Sequence, residues 1–139
     1  MRAFPILVLA AGLSHLLSAC WPAPTSSPSP YGIEWQLVEL NGQPAPLGGG
    51  GKPGTLRLAE DEGRASGFAG CNRFSGTFTT SAAQVQFGPL MMTKMACSEG
   101  MDLEARYPAA LGGSNGFRVT ATGLELLSGS QVVARFRKP

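Results

Sequence analysis

The sequence predicts an α+β fold that is mostly β: about eight short, mainly antiparallel strands forming a curved sheet or partly open barrel, with one helix packed on it. Three observations carry this expectation. The 139 residues include 19 Gly and 11 Pro, too many for a helical bundle and enough to break the chain into short elements. Most apolar segments alternate with period two, the signature of half-buried strands. One longer segment, residues 98–111, carries helix-start signals and stands alone among them.

Residues 33–40 put Ile33, Trp35 and Leu37 on one face and Glu34 and Gln36 on the other, and Asn41-Gly42 ends the strand. Residues 55–60 repeat the alternation with Leu56 and Leu58. Asp61 to Gly63 then form a turn into residues 64–69, which makes a hairpin with exposed acidic residues at its tip. Residues 74–80 and 84–87 are further strands, the second stopped by Gly88-Pro89. Phe68, Phe74 and Phe78 are core candidates. Ser98 is placed to cap the helix, with Glu99 and Asp102 in its first turn, where the helix dipole favours negative charge. Pro108 removes the donor to the carbonyl of residue 104 and crowds it, which predicts a kink or a split into two short turns. After Gly112-Gly113, residues 117–122, 124–127 and 131–137 read as three strands. Connections this short imply antiparallel pairing, with the helix covering one side or end.

The N-terminus predicts where the protein goes. Residues 1–19 combine one early positive charge, a short apolar core and small residues before a cut site, as in a secretory signal. Leu17-Ser18-Ala19-Cys20 resembles the lipobox of bacterial lipoproteins, which implies that Cys20 becomes the lipidated first residue. Several acyl chains on one cysteine anchor stably, whereas one binds only marginally. Residues 20–30, rich in Pro and Ser, then form an extended tether before a domain at 31–139. The expected location is the cell envelope, lipid-anchored and facing the periplasm. Trp21, rather than an aspartate, favours the outer membrane over the inner one by analogy with enterobacterial sorting.

Cysteine and histidine counting narrows the chemistry. Lipidation of Cys20 leaves Cys71 and Cys97, which an oxidising compartment would join into a disulfide closing a loop of about 27 residues. Two free buried thiols or a soft-metal site are the alternatives. The only histidine, His15, lies in the signal segment. The mature domain therefore has no histidine for a nucleophile triad, a zinc site or general-base catalysis. Gly48 to Gly51 lacks a following Lys-Ser or Lys-Thr, so a flexible loop is expected there rather than a phosphate cradle. A net charge of +2 with no basic block gives no footprint for nucleic acid. No catalytic residue, cofactor or metal is expected, and an enzyme built on Glu104 or Asp102 is the weakest reading. Met91, Met92, Met95, Cys97 and Met101 form a soft-ligand set suited to Cu(I). The competing reading is that these methionines fill an irregular core beside the helix.

Two segments carry a family pattern: Ser66-Gly67-Phe68-Ala69-Gly70-Cys71-Asn72-Arg73-Phe74-Ser75-Gly76-Thr77-Phe78, and Thr93-Lys94-Met95-Ala96-Cys97 followed by Glu104 and Leu111. With Trp35-Gln36-Leu37 at the start and Leu124-Glu125-Leu126 near the end, the chain resembles the META domain of HslJ-like bacterial envelope proteins over residues 33–136. The resemblance implies a small β-rich domain with a helix, often on a lipoprotein, linked to stress and in some relatives to secretion or virulence. It assigns no catalytic residue. Gly67, Gly70, Asn72, Gly76, Thr93 and Met95 are therefore structural motif residues: the glycines for close backbone approach or positive φ, Asn72 for local backbone bonding. The function expected is a noncatalytic, lipid-anchored binding or envelope-maintenance module whose partner is an unknown envelope protein or small ligand, besides the membrane held by its lipid. A lipocalin-like barrel carrying a small apolar ligand is the alternative. An apolar internal pocket would favour the carrier, and a filled interior with an exposed apolar patch would favour a protein partner.

Overall fold

A computed structural model of the protein describes residues 28–139. The expected signal at 1–19, the lipidation site Cys20 and most of the expected tether lie outside the described residues. The chain forms β1 (Glu34–Leu40), β2 (Gln43–Pro44), β3 (Thr55–Ala59), β4 (Arg64–Phe68), β5 (Arg73–Ser81), β6 (Gln84–Phe87) and β7 (Met91–Met92). Then follow α1 (Met101–Gly112), β8 (Gly116–Val119), β9 (Gly123–Ser128) and β10 (Gln131–Arg137). Eight strands close a barrel in the order β1-β3-β4-β5-β6-β8-β9-β10, with β10 pairing back onto β1 and every pair antiparallel. The short strands β2 and β7 lie outside this ring, against β1 and β5.

Closure depends on a local irregularity in β1. Trp35 and Leu37 point inward with ordinary alternation, but Leu40 follows Leu37 by three residues and is also buried. A register shift between Leu37 and Glu39 accounts for this: Val38 has no partner on β10, stays 41% exposed, and the pattern resumes one residue late. Such a bulge bends and twists a strand, which is what closing a sheet requires. The matching shift between Val132 and Ala134 on β10 lets Ala134 and Phe136 face the same core.

Side chains fill the interior. Trp35, Leu56, Leu58, Leu124 and Leu126 from the strands meet Leu103, Tyr107 and Leu111 from α1, all fully buried. The helical residues recur every four positions, so one stripe of α1 enters the core. Tyr107 lies edge-on to Phe74 of β5 at 5.8 Å and tilted against Phe136 of β10 at 6.2 Å. Its hydroxyl donates to the Thr55 carbonyl at 2.9 Å, and burial pushes its pKa well above the usual phenol value, keeping it a donor. Trp35 donates its indole N–H to the Pro30 carbonyl at 2.8 Å. Pro30, expected in the tether, is thus buried, because a buried indole needs an acceptor.

Three further expectations change. Ser98 does not cap α1: the helix starts after Gly100, whose φ of 86° no side-chain cap accompanies. Glu99 therefore precedes the helix, and the first-turn acids are Asp102 and Glu104. Pro108 does not split the helix, which runs continuously from Met101 to Gly112. Burial of Leu103, Tyr107 and Leu111 on one core holds both halves in line, at the cost of a single backbone bond. The strand expected at 117–122 is β8, ending at Val119 because the chain must turn through Thr120 to Gly123.

On the outer face, one ladder of charges crosses four strands. Glu39 of β1 bonds Arg135 of β10, which donates to Glu125 of β9 at 3.0 Å, which also accepts from Arg118 of β8 at 2.8 Å. Burial tends to raise the Glu125 pKa, but the hydrogen bonds and charges of Arg135 and Arg118 outweigh it and hold the carboxyl below its usual value. The stability this contributes is present above the unfolded carboxylate pKa and is lost as pH falls through the lower folded one. The stability gap between wild type and Glu125→Gln, measured by urea denaturation, should thus be widest near neutral pH and narrow on acidification. Leu126→Ala should cost about 2–5 kcal/mol in the same assay through the cavity it leaves.

Candidate functional site

The connection from β4 to β5 is held by one buried amide. Asn72, 2% exposed, uses every hydrogen-bonding position of its side chain. Its Oδ1 accepts from the Met95 N–H at 2.6 Å and the Thr93 hydroxyl at 3.0 Å. Its Nδ2 donates to the Met95 carbonyl at 3.1 Å and to Glu104 Oε1 at 2.8 Å. The other carboxylate oxygen of Glu104 accepts from the backbone N–H groups of Asn72 at 2.7 Å and Cys71 at 3.2 Å. Asn72 and Glu104 thereby lock the β4–β5 connection, the segment after β7 and the first turn of α1 together.

Two more constraints act on the same place. Cys71 and Cys97 form a disulfide, with Cα atoms 5.8 Å apart. Gly70 has φ of 124°, and a Cβ there would lie 2.3 Å from the Gly100 carbonyl oxygen, so only glycine lets the helix entrance approach this closely. The remaining motif glycines serve contact alone: a Cβ on Gly67 would strike the Thr55 carbonyl, and one on Gly76 the Pro89 carbonyl. Gly49 to Gly51, expected as a flexible loop, form a 3-10 turn pinned by the Gly49 N–H to the Gly70 carbonyl at 2.7 Å.

These constraints wall an outward-facing cleft of about 850 Å³. Phe68, Pro53, Met95 and the disulfide give it apolar sides, and Lys52, Arg73 and Glu34 give it charge. Neither Lys52 nor Arg73 makes an ion pair among the described residues. Phe68, a core candidate by its sequence, lines this cleft instead. The alternation of β4 explains its true position: Ala65 points inward, so Phe68, three residues on, points out with Arg64 and Ser66. Lys52 carried no signal in the sequence and Arg73 none beyond its place in the family pattern, because only the pairing of β3, β4 and β5 brings them to one cleft.

The methionines also differ from the core reading. Met91, Met95 and Met101 are exposed, at 68%, 61% and 46%, and only Met92 packs against the core. For the Cu(I) set, Cys97 has its sulfur in the disulfide and offers no thiolate in this state. Among the weakest catalytic candidates, Asp102 forms an exposed pair with Arg106 at 3.2 Å, and Glu104 is bound to Asn72 and Cys71. Among the described residues, no helix is long and apolar enough to cross a membrane.

Fold and cleft together define a small closed antiparallel barrel with one helix packed into its core and a walled groove on its outer surface. The META domain family matches residues 31–139, and the chain belongs to that family. It is similar to a solved protein from Burkholderia xenovorans at 26% identity and a TM-score of 0.61, over 84% of this chain and 94% of that one. A second solved protein is similar at 25% identity and a TM-score of 0.58, over 76% of this chain and 88% of the other. No curated protein matches.

Glu104→Gln should destabilise the domain by about 1–3 kcal/mol, because a single amide oxygen replaces two acceptors and its NH₂ faces a donor. Thermal or urea unfolding reads this directly. Cys71→Ala, Cys97→Ala and the double variant should each lose a similar amount, about 2–5 kcal/mol. Additive losses would show that the two cysteines act separately.

Proposed function

We propose that this META-domain protein is a noncatalytic binding module, lipid-anchored in the cell envelope and facing the periplasm, with the outer membrane favoured. The observation that carries the reading is the cleft: an apolar groove with two unpaired cations, held open by a disulfide, a saturated amide and a close glycine contact. Rigid walls of this kind spare a ligand the cost of ordering its site. The filled barrel interior supports an external site over a lipocalin-like carrier, since an internal ligand would have to displace Trp35, Tyr107 and their neighbours. A role in envelope maintenance under stress is consistent with a tethered binding domain. Anchoring rests on the Leu17-Ser18-Ala19-Cys20 junction. Cys20→Ala should block lipidation and processing, read by metabolic acyl labelling and membrane fractionation; unchanged labelling and fractionation would overturn the anchored reading.

A further inference from the structure

Each strand of the ring has two neighbours, with β6 and β8 meeting only at Gln84 opposite Gly116, and a further stretch of unpaired backbone lies beside the ring next to β5. β7 pairs with β5 through Met92 opposite Phe74 and Met91 opposite Ser75. The pairing then continues past the strand: the Thr93 N–H donates to the Arg73 carbonyl at 3.0 Å. One step further, the Asn72 amide takes both the N–H and the C=O of Met95, as a neighbouring strand residue would. The Thr93 N–H and both backbone groups of Met95 therefore face the start of β5 and the Asn72 side chain just before it. The backbone groups of Lys94 and Ala96, between and beyond these two residues, have no hydrogen-bond partner among the described residues. All four residues from Thr93 to Ala96 are exposed.

We propose that this edge binds an extended peptide segment of a partner protein by strand addition, and that the segment alternates apolar with acidic side chains. The backbone donors and acceptors at Lys94 and Ala96 supply the pairing that strand addition uses. Specificity comes from the adjoining cleft, to which Thr93, Met95 and Cys97 belong. Met95 and Phe68 offer apolar contact there, and methionine adapts readily to the shape of a ligand. Lys52 and Arg73 are unpaired cations in the same cleft against one acidic side chain, Glu34, and Lys94 adds a third positive charge on the edge itself, so acidic residues complement the net positive charge. An anionic amphiphile such as a fatty acid would satisfy the cleft but could not use the row of N–H and C=O groups. The peptide is the occupant that uses both. The inference rests on the binding-module reading above and names the partner of that same cleft.

The test uses the purified full chain and a fluorescent hexapeptide of alternating valine and glutamate, followed by anisotropy. Two further peptides carry N-methyl groups on alternate amides, one in each register. A strand-added peptide turns only one set of amides to the edge, so one methylated peptide should bind at least about tenfold more weakly while the other keeps its affinity. Lys52→Glu combined with Arg73→Glu should weaken the acidic peptide by about tenfold or more and favour a valine–lysine hexapeptide instead, which a misfolded variant could not do. Equal effects of the two methylation patterns, or saturable binding of dodecanoate with none of the peptide, would overturn strand addition and leave the cleft as a binding site. Binding of neither peptide nor dodecanoate would overturn the peptide and the cleft together.

Discussion

The amide of Asn72 is the point at which this domain is tied together. It joins three pieces of chain that are distant in sequence: the β4–β5 connection, the exposed stretch after β7, and the first turn of the helix. A buried amide left half-bonded would be costly, so the arrangement works only as a complete set. Thr93, Met95 and Glu104 complete it, and the disulfide and the Gly70–Gly100 contact fix the same three pieces by independent means.

The remainder of the fold follows from closure. The bulge in β1 rotates Leu40 into the core and lets β10 pair back onto β1, so the sheet ends on itself. Once closed, the barrel has room for little beyond its own side chains, and α1 adds Leu103, Tyr107 and Leu111 to that room. Ligand recognition is thereby directed to the outside of the barrel, where loops and short extra strands can vary without disturbing the core.

Charge is distributed in the same sense. Arg118, Arg135, Glu39 and Glu125 satisfy one another across the face made by β8, β9, β10 and β1. Glu104 is committed to backbone and amide donors. Lys52 and Arg73 are the cations left over at the cleft, against Glu34 alone, which gives this near-neutral domain a local excess of positive charge there.

Local rules in the sequence were enough to determine the mostly-β class, the strands around Trp35, Leu56, Phe74 and Leu126, the acidic hairpin at Glu60 to Gly63, and the pairing of Cys71 with Cys97 as the favoured choice. Periodicity, turn chemistry and cysteine counting act over a few residues or on composition, and each is visible in one dimension. The family pattern around Gly70-Cys71-Asn72 was visible for the same reason, but not its purpose, because Asn72 and Glu104 are separated by 31 intervening residues and meet only in the folded chain. Tertiary structure alone decided that Pro108 stays inside a continuous helix, where burial on a common core outweighs one lost bond. It also decided that Phe68 faces out, that the methionines lie mostly at the surface, and that Lys52 and Arg73 share a cleft. Each of these depends on which strand edge meets which, and a register is set by the pairing of distant segments rather than by any segment on its own.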